Sequence, residues 1–300
     1  MSFIASPSVQ KYAGDKGVDL AELARKTGRQ TLAREDVDQH LAGGAAAAPA
    51  PMAGGGDHIR YWDVDHAQYG PVTVEDMPRM AQVAAANLAA ANAMIPQVTH
   101  HDRADMRAVE AFRASLRDEA AARGVKLTAL AFQVRALARC LRVFPRFNAS
   151  LSADGRQLIL KDYVHVGIAV DTPQGLVVPV IRDADRKGLW QIAADIDDLA
   201  ARAQARKVRP DEMGGASMSI SNLGGIGGTA FTPIVNPPEV AILGLTRTET
   251  VPVWDGQGWV PVPMLPLDLS YDHRVINGAD AARFLAHFAR LMADPRRIMI

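Results

Sequence analysis

The period of apolar positions along this chain shifts several times, and each shift marks an element. Ser6 followed by Pro7 reads as a helix N-cap with proline at the first helical position, and Gly14 or Gly17 can end that helix. A second short helix is expected from Thr31, with Val37 and Leu41 four residues apart on one face. The stretch between them, residues 18–30, reads as irregular. From residue 43 to residue 56 every position except Met52 is Gly, Ala or Pro. Such a run has no side chains to bury and reads as a mobile tether.

Residues 72–93 are alanine-rich and read as a helix, which Ile95-Pro96 stops before an extended segment over 97–105. Helices are expected over 106–123 and 128–144. In the second, Leu130, Val134, Leu137 and Leu141 recur at helical spacing. Strands then dominate, over 158–160, 164–170, 176–181, 216–221, 240–243, 248–254 and 264–269. Helices over 189–206 and 279–292 each bring an apolar face, the last one through Phe284, Phe288 and Leu291. Helices early, strands late and no repeating βα unit predict an α/β fold around a mixed sheet, preceded by a small helical unit. The expected division is 1–42 for the head, 43–58 for the tether and 59–300 for the body.

Composition narrows the class. With 48% hydrophobic and 22% charged residues, the body has enough apolar content for a full core. Thirty-three basic residues balance 33 acidic ones, so no net field draws nucleic acid or an anionic membrane. The single cysteine, Cys140, excludes a disulfide framework and a cysteine-built zinc site, and inside a helix it reads as a small core filler. No signal-like apolar core opens the sequence and no apolar run is long enough to span a bilayer, so a soluble, cytoplasmic chain is expected.

The richest chemistry lies in LDLSYDHRVING, residues 267–278. An alternating apolar strand ends there in His273, flanked by Asp272 and Arg274, and Asn277-Gly278 turns the chain into a helix. Other clusters read more plainly. Gly224, Gly225, Gly227 and Gly228 lack the Lys-Ser/Thr of a phosphate loop and suit close approach of a long substrate arm. His100, His101 and Asp102 are adjacent on a strand and alternate faces, a poor arrangement for a metal. Asp195, Asp197 and Asp198 read as a solvated helix face. Ser217, Ser219 and Ser221 alternate along a strand and, by residues alone, read as hydroxyls of its edge.

The pattern His-x-x-x-Asp-Gly marks the CoA-dependent acyltransferases, and DHRVING resembles it in the acyltransferase (E2) component of 2-oxo acid dehydrogenase complexes. FPRFNASL (144–151), VGIAVDTPQGLVVPVI (166–181) and SISNLGGIGGTAFTPIVNPPEVAILG (219–244) are similar to further blocks of that family, in the same order. The likeness covers residues 60–300 and leans to the bacterial pyruvate dehydrogenase type. It implies a chloramphenicol-acetyltransferase-like fold that assembles as a trimer, with a core of twenty-four chains in some members. It implies that His273 of one subunit is the general base on a thiol, facing Ser221 of its neighbour, which steadies the oxyanion. The chemistry suits these residue types: a free thiol has a pKa of about 8.5 and needs a base near neutral pH.

Asn277 stands where the family most often has Asp and is expected to orient the loop. The resemblance also assigns Asn148, Gly225 and Thr229 to substrate contact, and Arg79 to an ion pair. The substrates implied are coenzyme A and a dihydrolipoyl group, with acetyl transfer as the reaction and no metal. Nothing in the 300 residues resembles a lipoyl domain, so either they belong to a longer chain or the lipoyl arm arrives on another polypeptide. SPSVQKYAGDKGVDL and LAREDVDQHL resemble the peripheral subunit-binding domain of the same enzymes, which docks dehydrogenase (E1) or dihydrolipoamide dehydrogenase (E3) subunits. That head lacks the family's usual arginine at Gln10, and its Thr27-Gly28-Arg29-Gln30-Thr31 segment before the second helix is shorter than the family's. Two other readings stay open: a non-catalytic assembly scaffold, and a free-standing acyltransferase acting on a small molecule.

Overall fold

The computed structural model describes residues 4–27, 31–32, 34–41, 62–173 and 175–299. The Gly/Ala/Pro tether lies outside them. Contacts divide the chain into two compact units, Met1–Glu75 and Asp76–Ile300.

In the first unit, β1 (Ile4–Ala5) and β2 (Thr31–Leu32) pair in parallel beside α1 (Pro7–Asp15), α2 (Leu20–Thr27) and α3 (Arg34–Leu41). Ser6 caps α1 as expected, its hydroxyl accepting from the Val9 amide at 3.4 Å. The segment read as irregular is instead helical. Asp19 accepts the amides of Ala21 and Glu22 and so starts α2, whose Leu20, Leu23 and Ala24 face a small core with Ala13, Leu32 and Val37. The helix expected from Thr31 begins three residues later, because Thr31–Leu32 is drawn into the strand pair.

The second unit runs α4 (Arg79–Met94), β3 (Gln97–Asp105), α5 (Arg107–Ser115), α6 (Arg117–Ala122) and α7 (Ala129–Val143), then β4 (Ala149–Leu151) and β5 (Leu158–Leu160). It continues through β6 (Val166–Ile168), β7 (Val170–Thr172), β8 (Gly175–Val177), β9 (Val180–Ile181), α8 (Leu189–Gln204) and β10 (Met218–Asn222). It closes with β11 (Ala241–Leu245), β12 (Glu249–Trp254), β13 (Trp259–Asp272), α9 (Gly278–Ala293) and α10 (Arg296–Met299). Pro78 ends the extended entry to α4, so that helix is shorter than the alanine run suggested. The helix expected over 106–123 breaks at Leu116 into α5 and α6.

Seven strands form one mixed sheet in the order β12-β13-β11-β10-β6-β9, with β3 also paired to β13. Strands β6, β10 and β11 are parallel, and β13 is antiparallel to β3, β11 and β12. Helices α5, α7, α8 and α9 pack on one face, where Phe132, Leu137, Ile192, Phe284 and Phe288 join Met218, Ile220, Leu267 and Leu269 in the main core. The other face is covered more thinly, by Ala91 and Ile95 against Val235 and Ile242. That second face carries Ser219 and Ser221 from β10 and Asp268, Ser270 and Asp272 from β13, in alternation with the core residues.

Candidate active site

Strand β13 delivers His273 to a turn held on three sides. The Asp272 amide donates to the Val240 carbonyl at 2.9 Å, and the His273 amide donates to the Pro96 carbonyl at 3.1 Å. These bonds tie the strand end to the starts of β11 and β3. The Asp272 carbonyl then accepts the amides of Val275 and Ile276, both 3.0 Å, and those two apolar side chains anchor the turn in the core. The His273 side chain is left exposed, its ring 5.8 Å from that of Tyr271. Asn277 is the N-cap of α9 through its carbonyl, which accepts from Asp280 and Ala281. Its side chain makes no capping hydrogen bond and is exposed.

Ser221 sits at the far end of the sheet. It pairs with Gly244, which pairs with Asp268, five residues before His273. Two strand spacings of about 4.8 Å and five residues at about 3.4 Å place Ser221 and His273 of one chain roughly 20 Å apart. One chain therefore does not bring them together.

The three alternating serines are not equivalent. Ser217 Oγ accepts from the His165 amide and donates to the Tyr163 carbonyl, and Ser219 Oγ donates to Glu239. The half-buried Ser221 hydroxyl has no hydrogen-bond partner among the described residues. It is the one left free to donate elsewhere.

Next to it a cleft of about 550 Å³ is lined by Asn222, Gly224, Gly225, Thr246, Arg247 and Lys126, among others. Gly225 thus lies on the Ser221 side. Thr229 is exposed on the same loop, its carbonyl accepting from Thr246 Oγ1 at 3.2 Å. The loop beyond is fastened to the sheet: the Phe231 amide donates to Asp268 Oδ2 and the Val235 amide to Gln97 Oε1.

The remaining sequence candidates fall elsewhere. Asn148 is buried, and its side-chain amide donates to the carbonyls of Lys161 and Tyr163, both at 2.8 Å. Arg79 opens α4, exposed and without an ion pair among the described residues. Cys140 is fully buried, and burial pushes its thiol far above the ordinary range. The aspartates of α8 are not simply solvated: Asp195 pairs with Lys187, Asp198 with Arg202, and Asp197 accepts the Lys126 amide. His101 holds the buried Asp268 carboxylate through Nδ1 at 2.6 Å. Two buried acids, Asp268 and Glu239, went unread in the sequence. Each interrupts or abuts an apolar strand run, and that is the signal they offered.

The model of the 2-oxoacid dehydrogenases acyltransferase catalytic domain matches residues 69–300. The chain belongs to this acyltransferase family. It is 47% identical over 305 residues to the dihydrolipoyllysine-residue acetyltransferase component of pyruvate dehydrogenase complex from Cupriavidus necator, covering 99% of this chain and 55% of that one. The Pseudomonas aeruginosa counterpart is 46% identical, with 99% and 55% covered. The chain spans about half the length of the curated relatives it matches.

A crystal structure of Azotobacter vinelandii dihydrolipoamide acetyltransferase superposes with a TM-score of 0.78 at 48% identity, covering 85% of this chain and 100% of that one. That work concerns a serine, a histidine and an asparagine in the catalytic mechanism, separated in that chain by 52 and then 4 residues. The cubic core of a pyruvate dehydrogenase multienzyme complex superposes equally well, at 0.78 and 48% over the same shares.

Proposed function

We propose that the second unit transfers an acetyl group between dihydrolipoamide and coenzyme A. The observation that carries this reading is the trio Ser221, His273 and Asn277, which repeats the separations of the serine, histidine and asparagine studied in the Azotobacter enzyme. It also accounts for the asparagine at 277, which matches the residue type found there.

In this mechanism the His273 imidazole takes the proton of the CoA thiol, and the thiolate attacks the thioester carbonyl of S-acetyl-dihydrolipoamide. The carbonyl oxygen becomes an oxyanion, and the free Ser221 hydroxyl donates a hydrogen bond to it. Collapse expels the dihydrolipoamide sulfur, which recovers the proton from the imidazolium. Asn277, at the start of α9, orients the His273 turn. Gly225 and Thr229 line the approach of a thiol arm to Ser221, and Asn148 supports the scaffold behind it. Arg79 stays a candidate for a structural ion pair.

Because His273 and Ser221 lie roughly 20 Å apart in one chain, the reading requires two subunits per site. A ring of three, built into a cubic core, supplies them with closed symmetry. The division into a subunit-binding-like head over 1–42, a tether over 43–58 and a catalytic body over 59–300 belongs to the same proposal. So does docking of dehydrogenase and dihydrolipoamide dehydrogenase subunits on the head, and so does lipoate carried on another domain or chain. A cytoplasmic location belongs to the same proposal; none of the described helices is long and apolar enough to cross a membrane.

The test is an assay of acetyl-CoA, succinyl-CoA and branched acyl-CoAs against dihydrolipoamide. Acetyl transfer well ahead of the others supports the reading. Intact assembly with no transfer favours a scaffold, and activity only on a soluble amine or alcohol favours a free-standing acyltransferase.

A further inference from the structure

Glu239 is an acid at only 5% exposure, two residues before β11. Its Oε1 accepts from the Ser219 hydroxyl at 2.9 Å, while its Oε2 is buried without a well-formed hydrogen bond. It floors a cleft of about 390 Å³ whose walls are largely apolar, with Ala91, Met94 and Ile95 on one side and Leu151 and Pro238 on another. The charged groups facing it are few. Lys161 attracts it while donating its own Nζ to the Ala216 carbonyl, and the Asn236 amide lies near. Asp272 and Arg274 line the same cleft but pair with each other. Helix α4 contributes Asn87, whose amide donates to Asn236 rather than to the acid.

Two short paths lead from this carboxyl to the proposed chemistry. Ser219 precedes Ser221 by two residues on the same face of β10. Val240, the next residue along from Glu239, gives its carbonyl to the Asp272 amide, and His273 follows.

We propose that Glu239 is a positioning residue for acyl transfer, fixing the strand beneath Ser221 through Ser219 and the His273 turn through the Val240 backbone. This rests on the acyl-transfer reading above. The working form is the neutral acid. Burial pushes its pKa up to about 7, against the opposing pull of the Ser219 hydroxyl, Lys161 and Asn236. Once ionised, the carboxylate still has one bare oxygen in an apolar cleft, and water and Lys161 compete with Ser219 for it.

A carboxyl whose folded pKa lies above its unfolded value of 4.5 contributes stability that is full below 4.5 and is lost as the pH rises through about 7. Glu239→Gln keeps a neutral acceptor for Ser219 and removes that loss. Thermal unfolding of the Gln variant should therefore gain on the natural protein from about pH 5 to about pH 7 and hold a constant lead above that.

In the transfer assay the Gln variant should keep most of its kcat near pH 6.5 and exceed the natural protein near pH 8. Glu239→Ala should lower kcat about tenfold at both, with KM for CoA within about twofold. If the Ala variant fails to assemble, Ser219→Ala makes the same comparison. Unfolding of Glu239→Gln that tracks the natural protein at every pH overturns the proposal, as does undiminished kcat in Glu239→Ala or Ser219→Ala. Absence of any transfer by the natural protein would instead sink the acyl-transfer reading, and the unfolding comparison would still report on the proton.

Discussion

The Arg274 guanidinium grips the Asp272 carboxylate in a fork that closes across the backbone of His273, with Nε at 3.0 and 3.1 Å and Nη2 at 2.7 Å. The Arg274 amide adds a fourth bond to the same carboxylate at 3.0 Å. Asp272 is 2% exposed, so its charge depends on that fork. Asp272→Ala should cost about 1–3 kcal/mol of stability and lower kcat by about tenfold or more by loosening the turn. Asp272→Asn, which keeps an acceptor for the amide, should lose less of both. Chemical denaturation alongside kinetics checks the order, and equal effects from the two variants would count against this account.

Ser221 offers a sharper contrast with its neighbours. Ser221→Ala should drop kcat roughly 10²–10³-fold, about 3 kcal/mol at the transition state, with little change in KM for CoA. Its structural cost should be small, since the hydroxyl bonds nothing among the described residues. Ser217→Ala should show the opposite balance, losing stability through the bonds to His165 and Tyr163. The two kinetic and unfolding profiles, measured side by side, separate a catalytic hydroxyl from a structural one.

Much of the body was legible in its apolar period: α7, α8 and α9 fall within two residues or so of where Leu137, Ile192 and Phe284 placed them. Boundaries set by backbone breaks were harder. Pro78 set the start of α4 seven residues later than expected, and Leu116 broke a helix whose sequence shows no proline or glycine there. Helix α2 was missed although Asp19 signals its cap, because the basic residues after it masked a short apolar face. The strand order was not legible at all. Local patterning predicts that 221 and 273 lie on strands or their ends, but only pairing reveals that β11 and five residues separate them. Glu239 escaped for a similar reason, since its partner Ser219 comes from another strand.

Gly244 lies in the row between Ser221 and Asp268, and the Phe231 ring packs onto it. A Cβ there would stand 2.7 and 2.8 Å from two ring atoms. Gly244→Ala should destabilise the fold by about 1–3 kcal/mol and displace the loop that carries Phe231. The expected signature is a lowered Tm together with a raised KM for the thiol substrates. An unchanged Tm would contradict the packing described here.

Cys140 should resist alkylation in the native protein and react only on unfolding, because burial holds its thiol protonated. Mass spectrometry after iodoacetamide treatment, with and without denaturant, reads this directly. Rapid native labelling accompanied by loss of transfer would give the cysteine a role that the packing denies it.

The central claim is that the acyl-transfer site joins His273 of one chain to Ser221 of another. Co-assembly of His273→Ala and Ser221→Ala chains, each inactive alone, tests it most directly. Random equal mixing in a closed ring should restore about a quarter of the natural sites, because some junctions pair an intact histidine with an intact serine. Recovery to about that level is the predicted result. Mixed particles as inactive as either parent would contradict it.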